Sequence, residues 1–236
     1  MSRKEAIILA GGYGTRLQSV VSDLPKPMAP VHDKPFLEYL LKFLSHYGFH
    51  KVVISTGYLS EKITSFFGNS YGALRLEYVK EEKPLGTGGA IKFALQKCTE
   101  QHVLVLNGDS FFDVDLLEFE IFHRHYHGMI SMALRYVEDS SRFGTIEMEE
   151  DEIRFFKEKS GISKPGVINA GVYFLDNYFF MENCLEAECF SFEKDFLEQQ
   201  VEQFGFFGFM HDGYFIDIGI PEDFNKAQHD FKEFKY

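Results

Sequence analysis

The stretch Ile7-Ile8-Leu9-Ala10-Gly11-Gly12-Tyr13-Gly14-Thr15-Arg16-Leu17 constrains this chain more than any other. A short apolar run breaks into a glycine-rich turn and ends on a hydroxyl residue and an arginine. The run predicts a buried strand over Ile7 to Ala10. Glycines accept positive φ and let the backbone come close to a ligand. Backbone amides converging in such a turn make an anion cradle, and the Arg16 guanidinium matches phosphate oxygens. Spacing excludes two better-known phosphate loops. A P-loop carries lysine followed by Ser or Thr after its last glycine, where this chain has Thr15-Arg16. A dinucleotide fingerprint needs a small residue at the place held by Leu17. An ordinary strand-to-helix turn is the plain alternative for the glycines; Arg16 tilts the reading to phosphate.

Downstream, Asp23-Leu24-Pro25-Lys26-Pro27-Met28-Ala29-Pro30 is predicted to be an extended, stiff loop, because prolines oppose a helix. Lys26 lies between two of them. A solvated surface is the usual fate of lysine, but rigid flanks beside a phosphate-type turn argue against that here. Pro35 is expected to open a helix whose apolar positions Phe36, Leu37, Leu40, Leu41 and Leu44 recur at helical spacing, with Gly48 ending it. Further strands are predicted over 51–56, 74–78 and 102–107, and helices over 60–67 and 88–95. Alternating strands and helices imply a mainly parallel sheet covered on both faces. In such sheets ligands sit beyond the carboxyl ends of the strands. The glycine turn and Asn107-Gly108-Asp109 are thereby expected to face one crevice, where a carboxylate suits Mg²⁺ together with substrate phosphates. The other fate of Asn-Gly-Asp is a turn cap.

From Met129 the pattern changes to strands with short links, over 129–137, 144–148, 153–157 and 167–175, predicting an antiparallel or mixed half, a candidate lid or second-substrate side. Helices are expected over 176–184 and 193–202. Asp217, set among Phe215, Ile216, Ile218 and Ile220, is a carboxylate in apolar surroundings that needs a partner or a metal. The whole is expected to be one domain, 1–236, in two halves, 1–128 and 129–236.

Net charge is −12, which excludes a general nucleic-acid or anionic-membrane surface. Residues 1–35 nevertheless carry a local +2, and residues 182–202 a local −6, read as a solvated helical face, although Glu193 and Asp195 could approach the second-substrate side. Three cysteines without C-x-x-C spacing, no signal-peptide pattern and no bilayer-length apolar stretch lead us to expect reduced thiols in a cytoplasmic protein. A homo-oligomer is left open. His123, His125 and His127 lack the companions of a zinc site.

Taken in order, Leu9 to Leu17, Pro25-Lys26-Pro27, Leu85-Gly86-Thr87-Gly88-Gly89-Ala90, Asn107-Gly108-Asp109, Phe143-Gly144, Glu158-Lys159, Asn169-Ala170-Gly171 and Asp217-Ile218-Gly219 resemble the sugar-phosphate nucleotidylyltransferases over nearly the whole chain. The resemblance implies a three-layer, Rossmann-like, mainly parallel (mixed) α/β sheet flanked by helices, with a GT-A-like core. It implies that Leu9, Ala10, Gly11, Gly12, Gly14, Thr15 and Arg16 hold the nucleotide, with Glu81, Gly86, Thr87, Gly88, Gly89, Asn107 and Gly108 alongside. Arg16, Lys26 and Asp109 are the implied catalytic residues, and Asp109 and Asp217 the implied Mg²⁺ ligands. Gly144, Glu158, Lys159, Asn169 and Gly171 are implied for the sugar phosphate. Two departures stand out: Ser19 and Ser160 occupy places where the family often has proline, and the second loosens the assignment of Lys159. The run Val20 to Val31 is similar to the bacterial heptose 1-phosphate branch, and Leu85-Gly86-Thr87 to mannose 1-phosphate guanylyltransferases. Together they imply GTP and D-glycero-α-D-manno-heptose 1-phosphate as substrates, with UTP and other hexose 1-phosphates left open. The rivals are a glycosyltransferase using Asp113-Val114-Asp115 and a regulatory sugar-nucleotide binder. We prefer Asp115 as a helix cap.

Overall fold

The computed structural model describes residues 3–12, 17, 21, 23–157, 159 and 161–236. Apolar six-residue runs form the centre. β1 (Glu5–Ala10) is buried at every position but Leu9. It is followed by the short strands β2 (Pro30–Val31) and β3 (Lys34–Pro35), then α1 (Phe36–His46), β4 (Lys51–Thr56) and α2 (Ser60–Phe67). β5 (Ser70–Tyr71), β6 (Leu74–Lys80), α3 (Gly86–Leu95), β7 (His102–Asn107), β8 (Ser110–Phe112) and α4 (Leu116–His125) complete the first half. The second half runs through β9 (Ile130–Val137), β10 (Thr145–Glu149), β11 (Glu152–Lys157), β12 (Gly166–Asp176), α5 (Asn177–Asn183), α6 (Glu198–Phe204), β13 (Phe206–Met210), β14 (Phe215–Asp217) and α7 (Pro221–Asp230).

One ten-stranded sheet has the order β10-β11-β13-β9-β12-β7-β1-β4-β6-β5. β4 and β7 flank β1 in parallel, and β6 continues beside β4. β12 joins β7 antiparallel and starts the mixed side. Because side chains alternate across a strand, β1 feeds two cores. Ala6, Ile8 and Ala10 pack with Phe36, Leu40, Phe119 and Phe224 on one face. Ile7 packs with Ile91, Leu95, Phe196 and Val201 on the other. The result is the expected α/β architecture of sheet and flanking helices.

Several local expectations change. Residues Lys26–Met28 form one 3-10 turn rather than an extended loop, since proline is tolerated in a first turn. The helix expected from Gly88 begins at Gly86. The helix expected over 193–202 opens as a wide π-type turn, Phe192–Leu197, before α6. The sequence reading assigns nothing to Phe206-Phe207-Gly208-Phe209-Met210. In the structure this aromatic run, β13, inserts between β11 and β9, parallel to β9. Both faces of this strand carry apolar residues, so no apolar–polar alternation announces it.

Candidate active site

β1 and β7 stop side by side, and the amide of Gly108 donates to the Leu9 carbonyl at 2.9 Å, closing the end of the ladder. Strand order switches here: the chain winds outward from β1 in both directions. A cavity of about 390 Å³ opens at this point. Its walls include Leu9, Ala10, Gly11 and Gly12 from the end of β1 and just beyond it, Glu81 from the β6–α3 connection, Gly86 and Thr87 from the first turn of α3, and Asn107, Asp109, Lys26 and Gly219. Gly14, Thr15 and Arg16 lie outside the described residues.

Lys26 is no solvated lysine. It is only 9 % exposed, and its Nζ lies 2.5 Å from Asp109 Oδ2 and 3.5 Å from Asp217 Oδ1. The 3-10 turn delivers it, since the buried side chain of Met28 anchors the turn in the core. Asp109 follows β7 directly, and Asp217 ends β14, which pairs with β8 and so lies beside it. The Asp217 Oδ1 also accepts the Gly219 amide at 2.7 Å. Burial, then the charge of Asp109, holds the Asp217 carboxyl above its ordinary range; Lys26, the Gly219 amide and Arg142 act against that shift. Two carboxylates thus converge on one monovalent cation in a partly dry site.

That donor set fits a hard divalent ion, which takes one or two carboxylates and leaves its other positions to phosphates and water. Among the described residues no group of three or more His, Cys, Asp and Glu could hold a metal unaided. Substrate oxygens would complete the coordination.

On the opposite wall Glu81 is held by two bonds, accepting Ser55 Oγ at 2.9 Å and the Leu85 amide at 3.1 Å. A Cβ built on Gly11 would stand 2.1 Å from Glu81 Oε1, so no larger residue fits at that position without moving the carboxylate. Gly88 and Gly89 do not reach the cavity wall; both amides point to the Phe190 carbonyl, at 3.0 and 3.4 Å.

The residues expected on the sugar side gather around β12. Its register breaks between Asn169 and Tyr173, and Gly171 sits in the break at φ +74°. Asn169 takes the Gly171 amide on Oδ1 at 3.0 Å and donates to the Tyr173 hydroxyl at 2.7 Å; its own amide donates to Gly144 O at 3.0 Å. Lys159 is exposed on the connection between β11 and β12. Glu158 lies outside the described residues. Glu193 links the two sides, accepting Thr87 Oγ1 at 2.5 Å and the Tyr173 hydroxyl at 3.3 Å. Tyr173 and Arg142 escape sequence reading: one looks like ordinary strand filling, and the other like a surface charge ahead of Phe143-Gly144.

The rival sites dissolve into structural duties. Asp115 caps α4, accepting the amides of Leu117 and Glu118, and Asp113 binds Tyr236 and Lys235. His123 is fully buried, bonded to Ser131 Oγ at 2.9 Å and His102 at 3.0 Å.

A crevice at a strand-order switch, furnished with paired acids and a lysine, marks an α/β enzyme that handles nucleotides. Residues 5–233 match the nucleotidyl transferase family, and the chain belongs to it. It is 47% identical over 232 residues to the D-glycero-alpha-D-manno-heptose 1-phosphate guanylyltransferase of Aneurinibacillus thermoaerophilus, covering 98% of this chain and 99% of that one. To the protein of the same name from Campylobacter jejuni it is 40% identical, covering 93% of this chain and 96% of the other. The crystal structure of HddC from Yersinia pseudotuberculosis complexed with GMP-PN superimposes with a TM-score of 0.84 at 35% identity, over 97% of this chain and 100% of that one. No helix among the described residues is long and apolar enough to cross a membrane.

Proposed function

We propose that this protein condenses GTP with D-glycero-α-D-manno-heptose 1-phosphate, giving the GDP-heptose and pyrophosphate in the cytoplasm for bacterial surface-polysaccharide synthesis. The observation that carries the reading is the meeting of Lys26, Asp109 and Asp217 at the mouth of the cavity. An oxygen of the sugar phosphate attacks the α-phosphorus of the nucleotide, a new P–O bond forms, the bond to the β-phosphate breaks, and pyrophosphate leaves. The attacking oxygen is already anionic at neutral pH, so no general base is required. The barrier lies in anion repulsion and alignment.

Asp109 and Asp217 would hold Mg²⁺, which when bound would supply neutralisation of phosphate charge. Lys26 exchanges its carboxylate partners for phosphate oxygens, keeping a positive charge where the triphosphate reacts. Arg16 is assigned the nucleotide phosphates by family resemblance. Asn169, Gly171 and Gly144 line the heptose side, and Thr87 stands between the two substrates.

Base choice is supported at Glu81. A carboxylate only accepts hydrogen bonds, and guanine presents N1–H and N2–H donors next to each other, whereas the uracil N3–H is flanked by two carbonyls. Glu81 spends one bond on each oxygen within the protein and keeps further lone pairs for a base edge. Pyrophosphate release with each of the four NTPs and the heptose phosphate tests the reading. GTP is expected to dominate; turnover with UTP alone would end the guanylyl assignment.

A further inference from the structure

Arg142 lies on the β9–β10 connection, two residues before Gly144, and reaches over to the strand end that carries Asp217. Its Nη2 is 3.4 Å from Asp217 Oδ2, and its Nη1 binds Asp223 Oδ2 in the first turn of α7. The guanidinium sits 5.4 Å from the centre of the Phe143 ring, which meets Phe215 edge-on at 5.4 Å. Its Nε is buried, with no acceptor among the described residues. Joining α7 to the loop would require Asp223 alone. The second contact divides the oxygens of Asp217: Oδ2 faces Arg142, while Oδ1 faces Lys26 and the Gly219 amide.

We propose that Arg142 is a positioning residue for the divalent cation. By holding Oδ2 of Asp217 it keeps Oδ1 turned toward the Lys26–Asp109 pair, and it ties that orientation to the loop leading into Gly144. The proposal rests on the reading of Asp109 and Asp217 as cation ligands. Outer partners that orient a ligand typically change metal affinity by about 10–100-fold when removed.

Mn²⁺ is titrated into the full chain saturated with a non-hydrolysable GTP analogue, and free ion is read by electron paramagnetic resonance against the analogue alone. Arg142→Gln is expected to weaken Mn²⁺ binding about tenfold while affinity for the metal-free analogue moves by less than about twofold. Arg142→Lys keeps the charge but cannot span both carboxylates, and is expected to recover part of the loss. A merely structural role would lower the thermal midpoint and leave Mn²⁺ binding by the folded protein unchanged. Equal Mn²⁺ affinity in wild type and both variants overturns the proposal. If Arg142→Gln does not fold, Arg142→Lys decides, and wild-type affinity there overturns it. No Mn²⁺ bound by the wild type beyond the analogue would instead remove the cation reading itself, a distinct failure.

Discussion

Along β1, β4, β6 and β7 the ladder is parallel and unbroken, and the chemically equipped residues stand where strands stop. Along β12 they stand where a strand is interrupted midway, at the register break between Asn169 and Tyr173. The first arrangement leaves the sheet intact and concentrates glycines, Asn107 and Asp109 beyond its edge. The second interrupts one long strand, so that Asn169 and Gly171 leave the regular ladder within the sheet. A bulge of this kind re-aims side chains at the cost of ladder bonds. The π-type turn Phe192–Leu197, which presents Glu193 toward Thr87 and Tyr173, belongs to the same irregular side. In the proposed reading, charge handling falls to the strand ends and shape to the strand defects.

The sharpest way to break this contrast is at the acids. Asp109→Ala is expected to lower turnover by on the order of 10³ with an unchanged circular dichroism spectrum. A folded variant that keeps near-wild-type rates would move the chemistry away from the strand ends.

Asp217→Asn should cost as much activity and yet stabilise the protein. Its carboxyl is raised above the ordinary value by burial and by Asp109. A raised folded value means the fold holds the proton more tightly than the unfolded chain does. That stabilisation is complete below the unfolded value and is lost as pH rises through the folded one, so at neutral pH the charge opposes folding. Removing the charge is expected to raise the thermal midpoint. A lowered midpoint would mean that Lys26 and Arg142 outweigh the desolvation.

Gly171→Ala tests the other region. The residue has φ +74°, and a Cβ there would stand 2.5 Å from Asn107 Nδ2, where the two regions touch. A loss of about 1–3 kcal/mol in denaturant unfolding is expected, with KM for the sugar phosphate rising more than KM for the nucleotide. Equal rises in both constants would dissolve the division of labour.

The smallest effect concerns the seam behind the site, where His123 contacts His102 of β7 and Ser131 of β9. Burial, then the charge of His102, pushes His123 down to about 3. The unfolded chain therefore takes up this proton first, and stability drains as pH falls from about 6.5 toward about 3. His123→Phe, which keeps the stack on Phe174, should flatten the fall of the denaturant midpoint between neutral and mildly acid pH. An unchanged slope would assign acid sensitivity elsewhere.

On the parallel side β1, β4 and β7 were readable because each is a short apolar run closed by glycine or an Asn-Gly turn, and β6 because its apolar and polar residues alternate. The Asp115 cap was readable because the side chain and the amides it serves are neighbours. β13 was hidden by its own uniformity, and the early start of α3 by glycines that elsewhere end helices. Tyr173 gave no sign because a tyrosine in a strand is ordinary until its hydroxyl finds Asn169 and Glu193.

By itself the sequence determined the fold class, the order of the motifs and the kinds of chemical group available, since turns, caps and apolar periodicity act over a few residues. Only the tertiary structure decided which charges meet. Lys26 and Asp109 are 83 residues apart, and Arg142 and Asp217 are 75 apart. Their contacts follow from sheet order and from the pairing of β8 with β14, which no local pattern encodes. Electrostatic interaction depends on distance through the folded molecule, and the chain acquires that distance only when it folds.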